Sequence, residues 1–114
     1  SMPDLPLEVT PAEVKRRLDA GERLALVDVR EPEEHRAAHI EGAQLIPMRA
    51  IPANLQSIEG LSDQADVVVF CHHGVRSLQV VNWLREQGVA NATSMAGGID
   101  RWSTEINPAV PRYY

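Results

Sequence analysis

Short apolar runs separated by polar segments set the pattern of this chain. Four of these runs predict β-strands, and they cover residues 24–29, 43–46, 67–70 and 92–95. The first run shows no alternation between apolar and polar residues, which is typical of a strand covered on both faces. The third run consists of four consecutive apolar residues and gives the strongest strand signal in the chain.

Helix signals lie between the predicted strands. Thr10 can cap a helix that begins at Pro11 and ends at Gly21, and Glu13 is placed to complete a capping box. The clearest helix covers residues 77–87. Weaker helical signals are found at residues 31–34, 50–58 and 97–102. Strands that alternate with helices predict an α/β domain with a mostly parallel sheet.

The two ends of the chain carry weaker patterns. Residues 2–9 are rich in proline and are predicted to form an entry arm, and residues 107–114 are predicted to wrap over the surface. We interpret Ser1, which precedes Met2, as a remnant of tag cleavage and leave it out of the fold prediction. No repeat, low-complexity tract or linker interrupts the chain, so we predict a single domain over residues 1–114.

Composition narrows the class of protein. The chain has 114 residues, of which 44% are apolar and 24% are charged, and its formal net charge is −5. These values are typical of a globular domain and argue against a nucleic-acid or membrane-surface binder. No apolar run approaches the ~18 residues of a membrane span and no signal peptide opens the chain, so we expect a cytoplasmic protein. A single cysteine excludes an internal disulfide and a Cys-rich metal site.

That cysteine, Cys71, follows directly after the strongest strand signal, in the stretch Val-Val-Val-Phe-Cys-His-His-Gly-Val-Arg-Ser at residues 67–77. An apolar strand, a loop with one glycine and then a helix form the layout of an anion-binding turn. Gly74 permits positive φ, so that successive backbone N–H groups can point inward. The helix N-terminus and Arg76 favour the thiolate, which is the nucleophilic form of cysteine. We therefore predict a nucleophilic Cys71 with an anionic partner, for which persulfide, thiosulfate, phosphate and arsenate all stay open.

The loop resembles the active loop of rhodanese-family sulfurtransferases, which commonly reads Cys-x-x-Gly-x-Arg-Ser before a helix. Further segments resemble the family's N-terminal and C-terminal motifs, and they are residues 26–30, 34, 39–43, 46–47, 88–89, 97–99 and 102. The likeness covers about residues 8–103. It implies a rhodanese-like three-layer α/β fold with a central, mostly parallel sheet of about five strands flanked by helices.

The resemblance also implies an activity. Sulfane sulfur would pass from a small anionic donor such as thiosulfate to cyanide, a thiol or a protein through a persulfide on the catalytic Cys71, without metal or organic cofactor. Related cell-cycle phosphatases carry a loop one residue longer than the six residues from Cys71 to Arg76. Arg76 would attract the donor, and the two histidines would form the pocket rim. The expected substrate-binding residues are His72, His73, Gly74, Val75, Arg76 and Ser77.

Two other classes of function stay open. The first alternative to a sulfurtransferase is a non-enzymatic module that carries sulfur or regulates a partner through interaction. The second, with less support, is a phosphatase or arsenate reductase that uses the same thiolate. Residues 98–103 and the tail at 111–113 resemble the C-terminal rhodanese domains of sulfur-carrier adenylyltransferases, which favours a protein acceptor. The chain departs from the family at His35, where an aromatic residue is common, and at Ala38, where glycine is common.

Several polar residues outside the loop have simpler interpretations. We expect Asp28 and Arg30 to pair with each other, or with Glu34, and so to brace the turn after the first predicted strand. His39 is predicted to be a turn residue bonded to the backbone. The acidic residues at 31–34 are predicted to be the solvated start of a helix. Core packing is expected for Trp83 and Trp102.

Overall fold

A five-stranded parallel sheet forms the centre of the computed structural model, which describes residues 5–114. The strands are β1 (Glu8–Val9), β2 (Leu24–Asp28), β3 (Gln44–Leu45), β4 (Asp66–Phe70) and β5 (Ala92–Met95), in the sheet order β1-β5-β4-β2-β3. The helices are α1 (Pro11–Asp19), α2 (Pro32–Ala37), α3 (Leu55–Ser62), α4 (Val75–Glu86) and α5 (Gly98–Glu105). The predicted α/β class and parallel sheet are therefore confirmed, whereas Ser1 lies outside the described residues.

Strand β4 is the centre of the sheet, paired with β2 on one side and with β5 on the other. Its side chains alternate between two apolar cores, as the period of two along a strand requires. Val67 and Val69 pack with α3 and α4 on one face, and Val68 and Phe70 pack with α1 and α5 on the other. All four are essentially inaccessible to solvent. Each buried side chain of this size stabilises the fold by about 1.5–3 kcal/mol.

The first helix begins at Pro11 as predicted, but the predicted capping box was wrong, because both carboxylate oxygens of Glu13 bind Arg16. The Thr10 hydroxyl accepts a hydrogen bond from the backbone N–H of Glu13, and Pro11 occupies the first helical position. A side-chain cap of this kind stabilises a helix by about 1 kcal/mol. The clearest predicted helix is also present, but α4 begins at Val75, two residues before the predicted start at 77.

Two of the element predictions were wrong. Residues 8–9 do not belong to an entry arm, because they form β1 at the edge of the sheet and pair with Ser94 and Met95. The predicted helix at 50–58 is instead two short 3₁₀ turns, Met48–Ala50 and Pro52–Asn54, followed by α3. Proline at 52 lacks a backbone N–H donor, so the regular helix begins only after it.

The parallel arrangement brings the carboxyl ends of β2 and β4 to one edge of the sheet. The loop between β4 and α4 lies at this edge, where open α/β sheets place their ligands. The C-terminal tail returns to the same region and is held by the Ser103 hydroxyl, which donates to the carbonyl of Val110 at 2.6 Å. The tail therefore wraps over the body of the protein, as predicted. In residues 5–114, no helix combines the length and the apolar character needed to cross a membrane.

Candidate active site

Cys71 lies at the end of β4, enclosed by hydrogen-bond donors, and only 1% of its surface is exposed. The backbone N–H groups of Gly74 and Ser77 donate to its Sγ at 3.1 and 3.4 Å. The Ser77 hydroxyl lies 3.4 Å from the same sulfur. The sulfur also sits at the positive N-terminal end of α4. This arrangement can stabilise a negative charge on Sγ or on an atom bound to it.

The loop needs its glycine for geometric reasons. Gly74 directly precedes the first residue of α4 and has a φ of +107°. Residues other than glycine rarely adopt this backbone conformation. A Cβ atom at this position would also lie 3.1 Å from the backbone nitrogen of Gly97. The predicted role of Gly74 in turning N–H groups inward agrees with this geometry.

A second helix N-terminus holds the loop from the opposite side. The first turn of α5 donates its backbone N–H groups to the loop, from Ile99 to the carbonyl of Cys71 at 2.9 Å and from Asp100 to the carbonyl of His72 at 3.1 Å. Gly98 permits this approach, because a Cβ atom there would overlap both carbonyl oxygens. The loop is therefore fixed between the N-terminal ends of α4 and α5.

A buried serine of β5, Ser94, forms a hydrogen bond with Ser77. The Oγ atoms of Ser77 and Ser94 are 2.7 Å apart, and the Ser77 hydroxyl also lies 3.2 Å from the carbonyl oxygen of Gly74. Both serines are fully buried. Sequence reasoning did not identify Ser94, because it lies inside β5, which was predicted only as a strand without chemical function.

Arg76 does not stand free at the loop. Its guanidinium forms a two-pronged ion pair with Glu34, with N–O distances of 2.7 and 2.8 Å. The Arg76 bonds hold the pKa of Glu34 at about 2, and the same pair raises the pKa of Arg76. Arginine carries five N–H donors, so three stay available after Glu34 has taken two. The prediction that Glu34 belongs to a solvated helix start was wrong, since its side chain is only 20% exposed.

The predicted pairing of Asp28 with Arg30 is confirmed. The Arg30 guanidinium donates to both carboxylate oxygens of Asp28, at 2.9 and 2.7 Å, and both side chains are buried. Further Arg30 bonds reach the carbonyl of Ala38 at 2.7 Å and that of Glu34 at 3.2 Å. The two buried charges neutralise each other, and the Arg30 bonds to backbone carbonyls hold the segment that carries Glu34.

The two histidines of the loop occupy different environments. His72 is half-buried, and its Nε2 atom has no hydrogen-bond partner among residues 5–114. Burial lowers the pKa of His72, and the neighbouring His73 lowers it further, so the ring is neutral near pH 7. His73 is 62% exposed, and its Nδ1 atom lies 4.0 Å from a carboxylate oxygen of Asp100.

Tyr113 from the tail completes the site, and sequence reasoning did not single it out. Its ring stacks on His72, with ring centroids 4.0 Å apart and planes inclined by 10°. Its hydroxyl donates to Glu34 at 2.6 Å and accepts from Arg30 at 3.1 Å. In the sequence, the tail at residues 111–113 was noted only for its likeness to a subgroup of the family. That likeness does not indicate which residues Tyr113 contacts.

A groove lies beside Arg76, at the margin of the candidate site. It has a volume of about 510 Å³, and its lining residues are Val29, Glu31, Met48, Arg49, Pro52 and Arg76. A second cavity of about 390 Å³ lies around Arg23 and Gln64, near the amino end of β2. Cys71 lines neither of them, but the first groove adjoins the candidate active site through Arg76, whereas no residue of the loop at 71–77 lines the second.

The remaining polar candidates do not form a further centre. His39 contacts the carboxylate of Glu41 at 3.1 Å, so the predicted bond to the backbone was wrong. The described part of the chain contains no group of three or more His, Cys, Asp or Glu side chains that could hold a metal ion. Trp102 packs in the core, as predicted, whereas Trp83 is only partly buried against it.

Comparison with known proteins matches the family model described as "Rhodanese-like domain" to residues 10–105. The chain is 36% identical over 105 residues to "Probable adenylyltransferase/sulfurtransferase MoeZ" of Mycobacterium tuberculosis, covering 92% of this chain but only 26% of that protein. It therefore spans about a quarter of this relative's length. A protein named "Sulfurtransferase" from Allochromatium vinosum is 33% identical and matches 90% of this chain and 94% of its own.

Solved structures of rhodanese-like domains share this fold. The crystal structure of a rhodanese-like domain protein from Staphylococcus aureus superimposes with a TM-score of 0.77 at 32% identity. The alignment covers 96% of this chain and the whole of the other. The similarity therefore extends over nearly the whole chain.

Proposed function

Because this chain belongs to the rhodanese-like family, we propose that it is a sulfurtransferase that carries sulfane sulfur on Cys71. The single observation that carries the proposal is the enclosure of the Cys71 Sγ by the N–H groups of Gly74 and Ser77. We also propose that residues 1–114 form one rhodanese domain.

The reaction has two halves, each of which moves one sulfur atom. In the first, the Cys71 thiolate attacks the outer sulfur of thiosulfate, the S–S bond of the donor breaks, and sulfite leaves with the electron pair. In the second, a nucleophilic acceptor attacks the outer sulfur of the Cys71 persulfide, and the cysteine leaves as its thiolate. This is covalent catalysis with ping-pong kinetics. Cyanide, a small thiol or a protein thiol can serve as the acceptor.

The loop supplies the electrostatic part of this mechanism. The persulfide carries its negative charge on the outer sulfur, and the backbone N–H groups of residues 72–77 would hold it. Those of Gly74 and Ser77 already point at Sγ before the reaction begins. Donors that need no reorganisation stabilise a developing charge more effectively than mobile water does. His72, His73 and Val75 would line the mouth of the loop, and Val75 is 68% exposed there. Arg76 would contact the donor through the N–H groups that Glu34 leaves unused.

The proposal is tested by intact mass spectrometry of the purified protein before and after incubation with thiosulfate. We expect a gain of one sulfur atom, roughly 32 Da, which cyanide removes and which the Cys71→Ser variant does not acquire. Turnover of thiosulfate with cyanide should disappear in the same variant. Absence of the adduct with thiosulfate and also with a more reactive persulfide donor would overturn the proposal.

A protein acceptor is favoured by one comparison. The chain spans about a quarter of a relative whose name joins an adenylyltransferase to a sulfurtransferase. In that setting the chain would act as a sulfur-carrying module whose acceptor is another protein. Rapid loading of Cys71 together with slow discharge to cyanide would distinguish this candidate from a free-standing enzyme. A parallel phosphatase assay tests the remaining alternative, for which the six-residue loop gives no support.

A further inference from the structure

The C-terminal tail carries a side chain into the candidate active site. Two contacts hold the tail in place before Tyr113 is reached. The carbonyl of Val110 accepts from Ser103, and the guanidinium of Arg112 pairs with Asp100 at 2.9 and 3.2 Å. Asp100 belongs to the first turn of α5, which itself binds the catalytic loop. The tail is therefore anchored to the same element that fixes the loop.

Tyr113 contacts the candidate site through both parts of its side chain. The ring lies flat on His72, and the hydroxyl bonds to Glu34 and Arg30. The direction of these bonds is fixed, because a carboxylate can only accept and a guanidinium can only donate. Burial raises the pKa of Tyr113 to about 12, so the hydroxyl keeps the proton that it donates to Glu34.

The hydroxyl also acts on Arg76 through Glu34. One carboxylate oxygen of Glu34 accepts both the Tyr113 hydroxyl at 2.6 Å and an N–H of Arg76 at 2.8 Å. Without Tyr113, this oxygen would lose one of its two partners, and the carboxylate would be held only by Arg76 and by the backbone N–H of Glu31. An arginine side chain carries about 2 kcal/mol of rotamer entropy, so a fixed partner is needed to hold it in one place.

We propose that Tyr113 is a positioning residue of the sulfur-transfer site, which fixes His72 by stacking and Arg76 through Glu34 and thereby sets the affinity for the anionic donor. This inference rests on the proposed sulfurtransferase function. Preorganised binding groups gain affinity because less conformational freedom is lost when the ligand binds. The effect of losing Tyr113 should therefore fall on donor binding more than on the chemical step.

The kinetic test uses three variants. We expect Tyr113→Ala to raise the KM for thiosulfate about tenfold while kcat falls by less than about threefold. Tyr113→Phe keeps the ring but lacks the hydroxyl, so it should raise KM by a smaller factor. Tyr114→Ala is the matched control, because Tyr114 is 98% exposed and its ring lies beside the guanidinium of Arg112. The control should behave as the wild type does.

A spectroscopic test separates positioning from general loss of structure. The groups that face His72 are its neighbour His73, Asp100 of α5, Glu34 of α2 and the Tyr113 ring, and burial is the main cause of its lowered pKa. In an NMR titration of the imidazole, Tyr113→Ala should raise the pKa of His72 towards its ordinary value. Tyr113→Phe should leave it low, since the ring still covers His72.

The outcomes are distinguishable from failure of the proposed function. If the wild type acquires no sulfur from any donor, the sulfurtransferase proposal fails, and the titration alone decides whether Tyr113 fixes the loop. If the wild type is active, the inference requires both the rise in KM and the change in the His72 titration for Tyr113→Ala. An unchanged KM or an unchanged titration in a folded Tyr113→Ala protein would overturn it, as would equal effects of Tyr114→Ala.

Discussion

The hydroxyl of Ser94 contacts the Ser77 hydroxyl, which lies beside the sulfur of Cys71. The Ser77 hydroxyl has one proton and three neighbours that can accept it, namely the Sγ of Cys71, the carbonyl of Gly74 and the Oγ of Ser94. When Sγ is negatively charged, the Ser77 hydroxyl is expected to donate its hydrogen bond to the sulfur. The Ser77 oxygen can then accept a hydrogen bond from another donor. The hydroxyl of Ser94, at 2.7 Å, is positioned to supply it.

We therefore expect Ser94→Ala to slow persulfide formation on Cys71. Loss of one buried hydrogen bond of about 1 kcal/mol corresponds to a rate about fivefold lower. The rate is measured in single turnover with thiosulfate, and by alkylation of Cys71 with iodoacetamide at a fixed pH. Ser94→Thr keeps the hydroxyl and should restore most of the rate. Thr93→Ser, on the neighbouring position of β5, is the control, and a loss as large as that of Ser94→Ala would contradict the prediction.

Glu34 makes the stability of the protein depend on pH. Its pKa is about 2 in the folded state, below the ordinary value of 4.5, chiefly because of the bonds from Arg76. A carboxylate whose pKa is lowered by folding stabilises the folded state above the ordinary pKa. That contribution is lost as the pH falls from about 4.5 through about 2.

We expect Glu34→Gln to remove this part of the pH dependence and to lower the free energy of unfolding at pH 7 by about 2 kcal/mol. The measurement is urea denaturation at a series of pH values between 2 and 7. Glu33→Gln serves as the control, because the Glu33 side chain is 75% exposed and lies 3.9 Å from Arg36. If both variants kept the wild-type slope in the acid range, the assigned role of Glu34 would be wrong.

The sequence could predict one half of the candidate site and not the other. Cys71, Gly74 and Ser77 lie within seven consecutive residues, so their geometry follows from a local strand–loop–helix pattern. The partners of that loop come from elsewhere in the chain. Glu34 is 42 residues away from Arg76, and Tyr113 is 79 residues away from Glu34. Such contacts follow from the packing of elements and carry no local signal.

At the scale of elements, the contact between α5 and the loop that carries Cys71 should limit which residues are tolerated at Gly98. Gly98 has a φ of +61°, and a Cβ atom there would overlap the carbonyl oxygens of Cys71 and His72. We expect Gly98→Ala to destabilise the fold by about 3 kcal/mol or more and to abolish activity, because the overlapping atoms belong to the backbone.

Gly60 offers a matched comparison for this substitution. It lies inside α3 with ordinary φ, and no atom is found within 4 Å of an added Cβ. Gly60→Ala should be neutral or stabilising by up to about 1 kcal/mol, because alanine favours the helix. Chemical denaturation of the two variants measures the difference. Similar stabilities for Gly98→Ala and Gly60→Ala would show that the close approach has no energetic consequence.

The elements that the sequence predicted well are those with a long, regular pattern. Strand β4 and helix α4 are of this kind, since β4 is a continuous apolar run and α4 has an apolar face that ends near a glycine. Strand β1 was missed because two residues carry no periodicity. It exists through pairing with β5, where the N–H groups of Ser94 and Ala96 donate to the carbonyls of Leu7 and Val9 at 2.8 Å.

For the molecule as a whole, the charged side chains around the site neutralise one another. Arg76 pairs with Glu34, Arg30 with Asp28, and Arg112 with Asp100. The net charge of −5 then dominates at long range. A doubly negative donor such as thiosulfate is therefore repelled during its approach, and dissolved salt screens this repulsion.

We expect kcat/KM for thiosulfate to rise about twofold when the ionic strength is raised from low to physiological values. Transfer from an uncharged organic trisulfide should show little dependence on salt, and this comparison is the control for effects of salt on the protein itself. The measurement is steady-state kinetics with both donors over the same series of salt concentrations. A decrease in kcat/KM for thiosulfate would instead indicate steering by unpaired positive charge.

Backbone N–H groups, those of Gly74 and Ser77, bind the sulfur. Anion binding by the loop is therefore independent of the side chains that face the substrate. Main-chain donors are present whatever side chains the loop carries, provided that the glycine turn is kept. The side chains at positions 72, 73 and 75 are then free to change without removing the means of holding an anion. Such a division permits new donors and acceptors to be acquired by surface substitutions alone, so the architecture is well suited to evolutionary diversification.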